Sequence, residues 1–161
     1  MTAEDLRRER LHRLRTIYVR SPIYFVTACT RQRKTTLANA AIHESLLEYG
    51  QAGADSGIWI GAYVVMPDHI HLFVAMDEQR KTLPGLVKSL KNTLSKALRA
   101  IGISSPHWQK GFFDHVLRSG ESYSQKWEYV RNNPVRAGLV VKPEDWRYAG
   151  EIFSLEYLSD R

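Results

Sequence analysis

The stretch GIWIGAYVVMPDHIHLFVAM, residues 57–76, is the most apolar run in the chain, and its reading decides the fold class. Its length raises the question of a membrane span. Pro67, Asp68, His69 and His71 fall in its middle, however, and placing those groups in hydrocarbon is costly. A turn at Met66-Pro67-Asp68 joining two strands fits the residues better, because Pro and Asp are turn formers. The expectation is an antiparallel pair of strands at about 58–66 and 69–76.

The flanking segments alternate in period. Ile23-Tyr24-Phe25-Val26-Thr27-Ala28-Cys29-Thr30 is β-branched and aromatic, bounded by Ser21-Pro22 and by Arg31-Gln32-Arg33-Lys34, and reads as a buried strand. From about Asn39 to Gly53 the pattern is helical, with Ile42, Leu46, Leu47 and Tyr49 available for burial and Asn39 placed to cap. Residues 83–101 carry the clearest helix. Leu83, Leu86, Val87, Leu90, Leu94, Ala97, Leu98 and Ile101 share one face, while Lys88, Lys91, Lys96 and Arg99 fall mainly on the other. His107-Trp108-Gln109 and Phe112 to Arg118 suggest a short strand with a bend at Gly111, and Asp114 and His115 are assigned to structure. A last helical unit begins near Ser119 or Ser122, and Ser122 with Gln125 makes a candidate capping box. Pro134 interrupts that unit, and Gly138 ends the short segment after the proline. The order β-α-β-β-α-β-α, with a hairpin at its centre, predicts an α+β ferredoxin-like sandwich: an antiparallel sheet with helices packed on one face.

Composition narrows the function classes. At 161 residues, 43% hydrophobic and 25% charged, the chain reads as one folded domain, and disorder throughout is excluded. The 23 Lys and Arg against 17 Asp and Glu leave a net charge of +6, which suggests a polyanionic partner without naming one. Cys29 is the sole cysteine, so an intramolecular disulfide and a Cys-rich zinc site are both excluded. A reducing cytoplasm is the expected location, and the heavily charged first twenty residues do not read as a signal peptide.

Two groups of residues carry chemistry. On a strand, side chains alternate faces, so His69 and His71 point the same way and Ile70 points to the other. Leu72 and Val74 share the face of Ile70, which suits the side covered by helices and leaves the imidazoles on the open side. Two such histidines can bind one ion from a rigid platform; they can equally be a half-buried pair satisfied by local hydrogen bonds. In the last helical unit, Tyr123, Trp127 and Val130 form the buried stripe, and Tyr129 and Asn133, four apart, lie together on another face. Tyr129 is then a free hydroxyl or an interface aromatic, and Asn133 before Pro134 is a free amide or the cap of a short following helix.

Taken together, Met66-Pro67-Asp68-His69-Ile70-His71-Leu72 and Tyr129-Val130-Arg131-Asn132-Asn133-Pro134-Val135-Arg136-Ala137-Gly138-Leu139-Val140 resemble the REP-associated tyrosine transposases, single-tyrosine HUH transposases of the insertion-sequence 200-like family. The likeness extends over about residues 20–150, including Trp108-Gln109, Phe113-Asp114-His115 and Asp145-Trp146, and it departs from the family at Arg147-Tyr148-Ala149-Gly150, where relatives often have serines. It implies an HUH catalytic domain at 21–150, a basic N-terminal arm at 1–20 and a C-terminal tail at 151–161. It further implies that Tyr129 is the nucleophile, that His69, His71 and Asn133 hold a divalent ion, Mg2+ or Mn2+, and that single-stranded DNA with repeat hairpins is cleaved and rejoined through a 5′-phosphotyrosine link. Under that reading Lys88, Lys91, Arg131 and Arg136 are candidates for phosphate contacts. Trp59, Tyr63 and Trp108 are candidates for stacking on bases or for the core. A monomer is favoured, with a dimer as the alternative, and no membrane partner is expected. The competing class is a non-catalytic single-stranded nucleic-acid-binding module, either RNA-recognition-like on the same element order or a degenerate transposase that binds without cutting.

Overall fold

The computed structural model describes residues 14–20 and 22–158. In chain order its elements are β1 (Thr16–Val19), β2 (Ile23–Cys29), α1 (Ala40–Gly53), β3 (Ile58–Val65), β4 (His69–Met76) and α2 (Leu83–Ala100). They continue with β5 (Phe113–Leu117), α3 (Gly120–Arg131), the single turn α4 (Asn133–Arg136), β6 (Ala149–Glu151) and β7 (Ser154–Tyr157). The central hairpin, both long helices and the edge strand thus form where the sequence places them. Five strands make one antiparallel sheet in the order β5-β2-β4-β3-β6. The connections through α1 and α2 each skip one strand, which is the split βαβ arrangement of a ferredoxin-like sandwich.

Helices α1 and α2 pack on one face. Ile70, Leu72 and Val74 are fully buried beneath them, as the alternation along β4 requires. Asn39 caps α1 by accepting from the Ile42 N–H at 3.0 Å, and Thr82 caps α2 by accepting from the Gly85 N–H at 3.2 Å.

Helix α3 crosses the opposite face, the side expected to be open. Its capping box pairs Ser119 with Ser122, rather than Ser122 with Gln125. Gln125 instead donates to Glu121, one turn back. Tyr123 and Trp127 meet Phe73 edge-on, with ring centroids 5.0 and 6.1 Å away. Tyr123 also reaches a break in the register of β3 between Ile60 and Tyr63, where its hydroxyl accepts from the Ala62 N–H at 3.2 Å. A Cβ on Gly61 would lie 2.8 Å from that hydroxyl and 2.8 Å from Leu155, so only glycine leaves space for both at this point.

The chain ends are arranged differently from the expectation. Residues 16–19, read as part of a basic arm, form β1 and pair in parallel with β7, inside the stretch read as a tail. β6 adds to the sheet beside β3, and there the Trp146 indole donates to the Val65 carbonyl at 3.0 Å. The segment around Trp108 contributes only an isolated bridge to Thr30. The rest of the arm, residues 1–13, lies outside the described residues. Among the described residues no helix is long and apolar enough to cross a membrane.

Tyr123→Phe removes the partner of a buried backbone N–H while leaving the ring in place. The expected loss is about 1–3 kcal/mol of folding free energy, read as a lower urea midpoint at unchanged slope. An unchanged midpoint would mean that this bond does not hold α3 to the sheet.

Candidate active site

His69 and His71 sit on the same side of β4 with ring centroids 4.6 Å apart and planes at 78°. β4 lies between β2 and β3, so its backbone is held on both sides and the pair has little freedom to move. Each imidazole is further held through Nδ1. That of His69 donates to Asp68 Oδ1 at 2.7 Å, and Arg33 Nε donates to the other Asp68 oxygen at 2.8 Å. The Asp68 carbonyl in turn accepts from both the N–H and the hydroxyl of Thr30, each at 3.0 Å. The Nδ1 of His71 lies 2.7 Å from the hydroxyl of Thr27, its register partner on β2, and its ring stacks on Phe25 at 5.1 Å. With Nδ1 engaged, Nε2 of each ring is left to meet a ligand, the division of labour found where supporting groups orient metal-binding histidines.

The electrostatics keep the His71 imidazole usable. Burial works to raise the Asp68 pKa, but the hydrogen bonds from His69 and Arg33 outweigh it and bring it below its ordinary value. Burial, together with neighbouring His69 and the positive charges of Lys126, Arg136 and Arg33, lowers the His71 pKa to about 3. At neutral pH His71 is therefore an uncharged imidazole with a lone pair available. Gln32 and Arg33 hold left-handed backbone angles, φ 56° and 53°. That strain, of order 1–3 kcal/mol per residue, is kept where the Arg33 guanidinium reaches Asp68 and donates to Cys29 Sγ at 3.1 Å.

Tyr129 stands on α3 with 61% of its surface exposed. The Lys126 ammonium lies 4.8 Å over the Phe25 ring and 5.7 Å over the Tyr129 ring. Tyr129 is thus one shared neighbour away from the ring that stacks on His71. Asn133 opens α4 rather than capping it, and its Oδ1 accepts from Arg136 Nη2. The same guanidinium lies 4.0 Å over the Tyr129 ring, so one side chain covers the hydroxyl-bearing ring and engages the amide. The four residues singled out from the sequence are brought into one connected cluster.

The basic residues separate into distinct roles. Arg136 stands at Tyr129, but Arg131 is paired with Glu128 at 3.4 Å and Glu144 at 2.9 Å. The Lys91 ammonium is turned inward, donating to the carbonyls of Gln109 and Gly111 and so fixing the loop that leads into β5. Lys88 is exposed on α2, which packs on the face of the sheet away from the histidines. Sequence reasoning missed Thr27, Phe25 and Arg33, whose roles follow from cross-strand register and loop geometry. Lys126 was in principle legible, since it lies three residues before Tyr129 on the same helix.

Among the described residues no group of three or more His, Cys, Asp or Glu is placed to hold a metal ion. The donors gathered here are two imidazole nitrogens and one amide oxygen. An RNA-recognition-like sheet exposes aromatics on its central strands. Here Phe25 and Phe73 are 9% and 0% exposed, beneath α3.

Residues 18–133 match the family described as IS200-like transposases. A REP-associated tyrosine transposase of Escherichia coli is 24% identical over 135 residues, covering 84% of this chain and 79% of that protein. A Haemophilus influenzae relative is 25% identical over 142 residues, covering 82% and 81%. The solved structure of a REP-associated tyrosine transposase bound to a REP hairpin superposes with a TM-score of 0.65 at 24% identity, covering 83% of this chain and 78% of that one, and so shares the fold.

In an NMR titration of the metal-free protein, the His71 ring is expected to stay neutral through the range near pH 6.5 where an ordinary histidine titrates. Because the unfolded chain takes up that proton and the folded one does not, His71 supports stability fully above about pH 6.5 and its contribution falls away as the pH drops toward about 3. A His71 titration near the ordinary value would show that the ring is not packed as described.

Proposed function

The chain belongs to the IS200-like transposases, a family of enzymes acting on DNA, and on that premise we propose that it cleaves and rejoins single-stranded DNA beside repeat hairpins. Tyr129 is the nucleophile, and His69, His71 and Asn133 hold a divalent ion. The observation that carries this reading is the single cluster in which an exposed tyrosine shares Lys126 and Arg136 with Phe25, the neighbour of His71, and with Asn133.

The donor set fits an ion that keeps open coordination positions: two Nε2 atoms with their rings already oriented, and one amide oxygen. Imidazole alone favours later transition metals. The family resemblance favours Mg2+ or Mn2+, and the amide oxygen, a hard donor, is consistent with them. When bound, the ion would draw charge from a nonbridging phosphate oxygen as phosphorus becomes five-coordinate.

A tyrosine hydroxyl has an ordinary pKa near 10 and is a weak nucleophile at neutral pH, so the residues around it must supply position and charge. In the reaction, the bond from Tyr129 Oη to phosphorus forms and the bond from phosphorus to the 3′ oxygen breaks. The phenol gives up its proton and the departing 3′ oxygen gains one. The product is a 5′-phosphotyrosine ester and a free 3′-hydroxyl. The ester is still a diester, so attack by another 3′-hydroxyl rejoins the strand without ATP. Arg136 and Lys126 flank the Tyr129 ring and are placed to receive the charge of the incoming phosphate. A phosphate that takes Arg136 away from Asn133 also frees the amide oxygen, tying assembly of the site to arrival of substrate.

The test is end-labelled single-stranded DNA carrying the host's repeat hairpin and flanks, incubated with manganese or EDTA and resolved on a denaturing gel. The expected result is a metal-dependent protein–DNA adduct that Tyr129→Phe abolishes while hairpin binding is retained. Hairpin binding with neither adduct nor cleavage would move the chain to the non-catalytic class. Asp68→Ala is expected to weaken Mn2+ binding to the DNA-free protein by roughly 10–100-fold in calorimetry, because it releases the His69 ring from its oriented tautomer.

A further inference from the structure

The sheet face that carries the histidines continues past them to an edge that no helix of the described residues covers. On β2, Thr27 pairs with His71 of β4 on one side and with Phe113 of β5 on the other. Phe25 pairs likewise with Phe73 and His115. Residues directly opposite one another in an antiparallel pair project from the same face. Phe113, Thr27 and His71 therefore form one row, and His115, Phe25 and Phe73 the next. Helix α3 covers Phe73 and Phe25, but β5 is the edge strand, and Phe113 keeps 68% of its surface exposed. His115 beside it is exposed too. Asp114 between them pairs with Val26 and projects from the other face, which keeps its carboxylate off the row.

The occupant is specified by what surrounds this aromatic edge. Phe113 lies two strand spacings from His71, roughly 10 Å. The Lys126 ammonium lies over Phe25, the register partner of His115, and over the Tyr129 ring. Lys110, just before the strand, is exposed. An exposed aromatic set among cations is the chemistry of single-strand binding, in which bases stack and phosphates meet positive charge. The aromatics singled out from the sequence do not compete for this role. Tyr63 is 3% exposed, Trp59 packs against the core, and the Trp108 indole donates to Ser95 at 2.9 Å.

We propose that Phe113, with His115 beside it, is a stacking platform for an unpaired nucleobase of the bound strand, setting the adjacent phosphate over the histidine pair and Tyr129. This rests on the reading of single-stranded DNA as substrate, and it adds a positioning site that lies outside the cluster of His69, His71, Tyr129 and Asn133.

The full chain is tested in EDTA, by fluorescence anisotropy, against an unstructured oligothymidylate and an abasic oligonucleotide of equal length. Base–aromatic stacking is sequence-tolerant, so oligothymidylate serves without knowledge of the repeat. Phe113→Ala is expected to weaken oligothymidylate binding roughly tenfold, to leave abasic binding nearly unchanged, and to be rescued by Phe113→Trp. Phe113→Ala that weakens both probes equally, or neither, would overturn the platform. Because no metal or cleavage enters this assay, a base-dependent loss stands even if no Tyr129 adduct is ever found, and the two readings fail separately.

Discussion

The two-residue alternation of β4 governs everything built on this sheet. Ile70, Leu72 and Val74 must face α1 and α2 to bury their surface, and that requirement turns His69, His71 and Phe73 to the other side. A one-residue slip would exchange the two sets, burying the imidazoles among aliphatic side chains. The register is fixed twice, through six partner pairs with β2 and through the pairing with β3. The hydrophobic demand of one face thus sets the chemistry of the other. Helix α3 then adds Tyr129 by docking Tyr123 and Trp127 on Phe73, the next residue of β4 on the face of the histidines.

Much of this is legible because it rests on local pattern. The period of residues 58–76 marks the hairpin, Asn39 its helix cap, and the Tyr123, Trp127 and Val130 stripe the inward side of α3. The capping box is displaced by three residues, since Ser119 and Ser122 both carry the hydroxyl that the pattern requires and the chain uses both. The parallel pairing of β1 with β7 leaves no local trace, because two four-residue strands from opposite ends of the chain carry no shared period. The supports of the histidines are hidden for a related reason. Thr27 meets His71 through register across 44 positions, and Arg33 reaches Asp68 from a left-handed turn that its residue types do not announce.

Charge alone is a poor guide to the site. The excess of +6 points to an anionic partner class, yet individual cations divide by geometry. Lys91 supports a loop, Arg131 answers two glutamates, and Arg136 divides its guanidinium between an aromatic ring and an amide. A phosphate contact needs a donor free to turn, and only the fold shows which donors are already committed.

The parallel β1–β7 ribbon carries a further consequence, for the order in which the molecule is completed. A ribosome releases the chain from its N-terminus, so β1 emerges first among the described strands and waits for β7, which comes after every other one. The same late segment supplies Tyr157, whose hydroxyl meets the Ile23 N–H across 134 positions, and Leu155, which shares the space above Gly61 with Tyr123. The helix that bears Tyr129 therefore gains its last packing neighbour only when synthesis of the fold is finished. Vectorial synthesis makes the support of Tyr129 among the final parts of the protein to close.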